Sequence, residues 1–501
     1  MVGHPYVQVR SRILSVAVVL LLAAVVLVAQ LVRWMVWPQT TQPGAGNIWL
    51  PESNLAVPRT PRGTLLDRDG ALLVATTYQF DVSLTPRELR SSVDKLAPRL
   101  APLLQMSEAE LAARIREPEK FQHSQEYALL KRVDFQTGQE IARRKKSSSE
   151  RLLSDRSPNP DYGLFWNSVH LKPVAVRVYP EKTLAAHLLG FLNAEQQAFY
   201  GVERYYDDDL RGQNVFDVAR NGIPLAVTGA RFVQNVSPEG AHDLILTIDR
   251  AIQYVVEKEL KATVERFQAQ GGTIIVMDPK TGAVLASASY PTYAPARYVE
   301  YPQDVWEDPA VSETYEPGSI FKVITMAAGL SAGVVTPDTT YEDTGCVFIG
   351  SKRICNLDER IYGVVDMRDV LLYSLNTGTT FINVRLGKEF YAYVERFGFG
   401  ALTQIDLAGE VAGTVRRPGD SDWSEADLGA NSYGQGLAVT PMQMAAAVSA
   451  VANRGLLMQP HVVKGHISRG RVLLIEPRPV RQVIRRETAA VLTDMLVEAV
   501  D

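Results

Sequence analysis

Cysteine is nearly absent and histidine is scarce: the 501-residue chain holds two of the first and seven of the second. Neither shows metal-ligand spacing, so no metal is expected from the pattern. No Gly-rich loop runs from a strand into a helix with a phosphate-binding fingerprint, so no nucleotide or other cofactor is expected. There is no excess of one charge. The formal net charge is −4 and no basic stripe occurs, so no nucleic-acid partner is expected. What remains is an ordinary globular composition, 46% hydrophobic and 22% charged, in a chain too long for a single core.

Charge is missing most completely near the N-terminus. Ile13 to Val32 reads "ILSVAVVLLLAAVVLVAQLV", twenty residues without an ionisable side chain. At about 1.5 Å per residue this spans the ~30 Å hydrocarbon layer. Arg10 and Arg12 precede it; Arg33, Trp34 and Trp37 follow, and the next charge is Glu52. The run is longer than a signal-peptide core, and no small-x-small cleavage site follows. Residues 13–37 are therefore expected to be a single-pass membrane anchor, with 1–12 cytoplasmic and the rest outside. The Pro-, Gly- and Thr-rich stretch 38–61 reads as a linker.

An outside location permits disulfides. Cys346 and Cys355 flank "VFIGSKRI", two short strands around Gly350-Ser351. They are either bridged across a hairpin or two free thiols; spacing alone leaves both open.

"RGTLLDRDGALLVATTYQFDVSL" reads as a hairpin turning at Asp67 to Gly70. The stretch from about 86 to 170 is charged and helix-like without clean periodicity. Nothing from 62 to 240 frames a nucleophile, and this part is expected to be a non-catalytic domain. From Asp243 the pattern sharpens. A strand at Leu244 to Thr247 leads to Asp249, an N-cap candidate for a helix ending at Gly271-Gly272. "TIIVM", "DPKTG" and "AVLASAS" then read as strand, turn and strand, placing Lys280, Thr281 and Gly282 at a hairpin tip.

Chemistry concentrates in "YEPGSIFKVITMAAGL". Pro317-Gly318 break the preceding segment, and a helix is expected to begin at Ser319. Ser319 and Lys322 then share one face. A serine hydroxyl needs a base beside it, and a partly buried lysine one turn away can serve. A helix start also offers free N–H groups to an oxyanion. Ser-x-x-Lys is a weak motif, however, and Ser92 with Lys95 makes a second copy in a charged stretch. A further element is Ser374-Leu375-Asn376, after the helix-like "MRDVLLY". Ser374 can pass a proton, and the Asn376 amide can both donate and accept. It too has a decoy, Ser157-Pro158-Asn159. Thr440-Pro441-Met442-Gln443 reads as a capping box with Pro at N1.

The order and spacing of "YEPGSIFK" and "SLNTG" resemble the penicillin-binding transpeptidases, of the class B, monofunctional type. The likeness extends to "RGTLLDRDGALLVA", "RVYPEKTLAAHLLGFLN", "GVERYYDDDLRG", "LTIDRAIQYVVEKEL", "IVMDPKTGAVLASASYPTY", "FGFGALTQIDLAGEVAG" and "SYGQGLAVTPMQMAAAVSAVANRG", nearly the whole chain. It implies a mixed α/β (α+β) architecture: an elongated pedestal over 62–240, then a transpeptidase domain over 243–501, a helical cluster beside a mainly antiparallel sheet. It also implies a serine D,D-transpeptidase that cross-links peptidoglycan stem peptides through an acyl-enzyme and is a target of β-lactams. Ser319 would be the nucleophile, Lys322 the base, Ser374 the proton relay and Asn376 a positioning group. Cell-wall synthesis membrane proteins would be its partners.

The chain departs from the family in one respect. The catalytic Lys-Thr-Gly is expected downstream of "SYGQG", and none follows Ser319. That element and the last strands of the sheet are expected beyond Asp501, leaving the chain as written short of a complete site. The alternatives to the enzyme are a non-catalytic cell-wall scaffold and a β-lactam receptor or β-lactamase.

Overall fold

The computed structural model describes residues 62–84, 93–116, 131–154, 166, 168–211, 241–468 and 470–500. The expected anchor (13–37), the linker and the decoy residues Ser92 and Ser157 to Asn159 lie outside the described residues. Among the described residues, no helix is long and apolar enough to cross a membrane.

The hairpin expected at Asp67 to Gly70 is present. Asp67 Oδ1 accepts from the N–H groups of Asp69 and Ala71, and Gly70 takes a left-handed φ of 89° to close the turn. The second arm is the long strand Leu72–Leu84. It pairs antiparallel with Val169–Val178 along ten residues, from Ala75 opposite Val178 to Leu84 opposite Val169. Lys131–Val133 pairs with the same strand. The first arm, Leu65–Leu66, carries the sheet onward: it runs parallel to Asp243–Leu246, which pairs with Val463–Ser468, which pairs with Arg471–Leu474. Seven strands therefore form one sheet drawn from both sides of position 240, and Val57 to Asp501 make one compact unit.

The charged stretch after residue 86 proves more regular than it reads. Val93–Leu104 is a helix whose Val93, Leu96, Ala97, Leu100, Ala101 and Leu104 are all buried. The three- and four-residue spacing is helical, but Pro98 and Pro102 lie inside the helix and argue locally against one. Burial against Phe80, Val82, Leu84 and Leu111 overrides that penalty.

Where the two halves of the sheet meet, Arg62 and Arg177 are buried with Glu203 and Asp207. Glu203, 0% exposed, accepts from Arg62 Nε at 2.6 Å and from Arg177 Nε at 2.8 Å. Arg62 also bonds Asp207. Two cations and two anions balance, which is what makes their burial tolerable.

Asp249 caps Arg250–Phe267 as expected, accepting from Ala251 and Ile252 N–H. The helix stops at Gln268 in a left-handed turn, earlier than the expected Gly271-Gly272, because Gly272 already opens the strand Gly272–Met277. That strand and Val284–Tyr290 form the expected hairpin. A helical cluster built from Lys322–Ala332, Asn376–Leu386, Glu389–Arg396, Pro441–Ala452 and Arg486–Glu498 surrounds a core that includes Phe321, Ile324, Phe390, Ala447 and Leu492. Thr440 and Gln443 make the expected capping box, with Pro441 at the first helical position.

Candidate active site

Ser319 sits in a tighter element than the sequence suggests. Gly318–Phe321 is a 3₁₀ turn, and the α-helix proper starts at Lys322. Gly318 has a φ of 62°, open to glycine, so the chain can double back before Ser319. The Ser319 side chain is exposed. Lys322, one turn on, is only 2% exposed. Its burial comes from its position at the start of Lys322–Ala332, whose next residues pack into the helical core.

The structure brings Lys322 to the second element. Lys322 Nζ donates to Ser374 Oγ at 2.9 Å and to the Ser374 carbonyl oxygen. Ser374 lies between the helices Met367–Leu372 and Asn376–Leu386, with a left-handed φ of 54°. A non-glycine residue rarely holds that conformation. Here it turns both Ser374 oxygens toward one ammonium. Burial lowers the Lys322 pKa from 10.5 to about 8.

Asn376 opens its helix, and its Nδ2 donates to the Cys355 carbonyl at 2.8 Å. Cys355 lies directly opposite Cys346 in the hairpin Cys346–Ile349/Lys352–Cys355, and the two are joined in a disulfide. Behind Asn376 stands a buried polar cluster that the sequence did not reveal. Asp343 accepts from Asn356 Nδ2, from Thr377 Oγ1 at 2.7 Å and from Tyr362 N–H. Asn356 Oδ1 in turn accepts from Thr377 N–H. The cluster fixes the start of the Asn376 helix to the disulfide hairpin. Its members are scattered polar residues with no periodic signal.

"SYGQG" packs against the turn that carries Ser319, a role that also escaped the sequence reading. Gly434 O accepts from Gly318 N–H, and Glu316 accepts from Gly436 N–H. Gly434 has a φ of 80°, and a Cβ there would stand 2.2 Å from the Gly318 carbonyl oxygen. Only glycine lets this segment press against the turn that carries Ser319. Thr325 Oγ1 donates to the Ser432 carbonyl, tying the same segment to the Lys322 helix.

Lys280 is exposed at the hairpin tip, as expected. Asp278 accepts from Lys280 N–H and Thr281 Oγ1, and Gly282 has a φ of 79°. The tripeptide is a turn.

Two family models match the chain: the penicillin binding protein transpeptidase domain over residues 272–501 and the penicillin-binding protein dimerisation domain over 58–221. The chain belongs to the class B penicillin-binding proteins. Stage V sporulation protein D of Bacillus subtilis is 30% identical over 440 residues, 85% of this chain and 63% of that protein. Peptidoglycan D,D-transpeptidase FtsI of Escherichia coli is 30% identical over 320 residues, 62% of this chain and 52% of that one. This chain thus spans between half and two thirds of the length of these two curated relatives. Among solved structures, penicillin binding protein 2X of Streptococcus thermophilus superposes with a TM-score of 0.69 at 20% identity, covering 88% of this chain and 65% of the other. Penicillin binding protein 3 of Mycobacterium tuberculosis, complexed with aztreonam, gives 0.62 at 22% identity, covering 88% and 75%. Both share the fold. In this class B penicillin-binding protein, Lys322 and Ser374 are in contact, Ser319 lies one turn before Lys322, and Asn376 stands two residues beyond Ser374.

Proposed function

We propose that this protein is a serine D,D-transpeptidase of peptidoglycan, with Ser319 as nucleophile. The observation that carries the proposal is a buried lysine amine of lowered pKa in contact with Ser374, one turn after an exposed serine. Neutral Lys322 takes the proton from Ser319 Oγ as the oxygen attacks the carbonyl of the penultimate D-alanine of a stem peptide. The tetrahedral intermediate collapses, the C–N bond to the terminal D-alanine breaks, and Ser374 passes the proton to the departing amine. An amine of a neighbouring stem attacks the acyl-enzyme, forming the cross-link and releasing Ser319. The Asn376 side-chain amide spends one N–H on Cys355; its other N–H and its Oδ1 position the stem peptide. β-Lactams acylate the same serine.

The protein is anchored by residues 13–37 and works on the outer face of the cell membrane, beside other membrane proteins of wall synthesis. Residues 62–240 act as its pedestal, and 243–501 carry the chemistry. A binding scaffold would use the same surfaces without acylation. The test is labelling of the full-length protein with a fluorescent penicillin and locating the adduct by mass spectrometry. Adduct on Ser319, lost in Ser319→Ala, is the expected result. No adduct on the folded protein, or equal labelling of Ser319→Ala, would overturn the assignment.

A further inference from the structure

Asp209, His242 and His466 belong to three segments that the fold brings together. Asp209 lies in the short helix Asp207–Leu210. His242 precedes strand Asp243–Leu246, and its N–H donates to the Asp209 carbonyl at 2.8 Å. His466 lies on the neighbouring strand Val463–Ser468, opposite Leu244. One carboxylate oxygen of Asp209 and one ring nitrogen of each histidine lie within 4.8 Å of one another. The two imidazoles stand edge to face, their centroids 5.8 Å apart.

The ring nitrogens need an explanation. Among the described residues, Nδ1 of His242 and Nδ1 of His466 are both buried without a hydrogen-bond partner. The nearest carboxylate oxygen to His242 Nδ1, Asp209 Oδ1, is 3.6 Å away, too far for a hydrogen bond. Buried polar atoms are almost always partnered, and two orphans from neighbouring rings, beside a carboxylate, point to a shared partner. The surroundings leave the carboxylate available: Arg211 is paired with Asp207, and Tyr206, whose ring edge packs on His466, donates its hydroxyl to Asp406.

We infer that Asp209, His242 and His466 bind a divalent transition-metal ion of the zinc type. Two imidazoles and one carboxylate suit zinc, cobalt or nickel, whereas magnesium and calcium favour all-oxygen sets. Bonds of about 2.0–2.1 Å in a tetrahedron place ligand atoms roughly 3.3 Å apart, so about an ångström of side-chain adjustment closes the site. All three residues are partly exposed, which gives them that freedom and leaves a fourth position to water. The ion would clasp the Asp207–Leu210 helix to two strands of the seven-stranded sheet, remote in sequence from Ser319. The two histidines are far apart in the chain, so no spacing motif announces the site.

The full chain, stripped with a chelator, should bind one Zn²⁺ in a calorimetric titration, with a rise in melting temperature that saturates at one equivalent. Cobalt(II) in its place should give visible absorption bands of a four-coordinate ion. His466→Gln and Asp209→Asn should each weaken zinc binding at least about 100-fold, since even groups behind the ligands are worth 10–100-fold. Glu359→Gln should bind as the parent does; Glu359 lies beside Cys346 and Cys355, whose sulfurs are spent in the disulfide. Metal-free melts establish that each variant is folded, and Asp209→Asn, altering a partly exposed carboxylate, stands in if His466→Gln is not. Absence of stoichiometric binding, tighter binding of magnesium or calcium than of zinc, or undiminished zinc binding in the folded variants would each overturn the proposal.

Discussion

Changing pH across the range in which Lys322 titrates should control acylation. The amine is 2% exposed, and burial brings its pKa to about 8. At pH 7 about one tenth of the molecules then carry a neutral amine able to accept the Ser319 proton; at an unshifted 10.5 the fraction would be about 300-fold smaller. The second-order rate of labelling by a fluorescent penicillin, relative to its plateau, should rise about tenfold per pH unit below 8 and level off above it. Lys322→Ala should abolish the rise and most of the rate. Stability follows the same shift. Below pH 8 both folded and unfolded states hold the proton, and the buried ammonium costs the folded state its full penalty. Between about 8 and 10.5 the folded state has released a proton that the unfolded state keeps, so stability increases with pH and then levels off. The whole gain is on the order of 3 kcal/mol. Lys322→Met should lack this part of the pH dependence in thermal melts. A labelling rate flat from pH 6 to 9, or an inflection near 10.5, would refute the argument that burial tunes this lysine.

Glu203→Gln removes one of two buried negative charges while keeping the side-chain shape, leaving Arg62 and Arg177 with Asp207 alone. Breaking such a cluster costs about 3–5 kcal/mol, and in a unit of this size the melting temperature should fall by roughly 3–5 °C; a fall under 1 °C would show the cluster to be hydrated. Gly434→Ala forces a methyl group onto the Gly318 carbonyl, in a backbone conformation costing about 1–2 kcal/mol by itself. Penicillin labelling of Ser319 should drop sharply, and labelling at the parental rate would show that this segment does not hold the Ser319 turn. Lys280→Ala, at an exposed hairpin tip, should change stability by no more than ~0.5 kcal/mol and leave labelling within a few-fold of the parent; loss matching that of Lys322→Ala would place Lys280 in the cleft.

Local chemistry was written plainly in the chain. The caps at Asp249 and Thr440, the turns at Asp67 to Gly70 and at Asp278 to Gly282, and the spacing of Ser319 and Lys322 are all short-range features. The caps and turns depend on a side chain bonding backbone a few residues away, and the Ser319–Lys322 spacing on chain order alone, so the sequence determines them directly. The pairing of Cys346 with Cys355 was half legible, since a hairpin sets the two opposite but proximity alone does not join them. The helix Val93–Leu104 was obscured because its prolines oppose a helix locally and only packing against Phe80, Val82 and Leu84 outweighs them. Sequence likewise suggested a helix starting at Ser319, where the chain makes the 3₁₀ turn Gly318–Phe321 before the α-helix begins at Lys322. What the tertiary structure alone decided is everything that depends on distance in space between remote residues: Lys322 against Ser374, Gly434 against Gly318, Asp343 beneath Asn356 and Thr377, Arg62 and Arg177 sharing Glu203, and Asp209 beside His242 and His466. None of these has a period or a spacing. A buried charge, a lowered pKa or an orphaned ring nitrogen comes from exclusion of water by the whole fold, and the order of residues does not encode that locally.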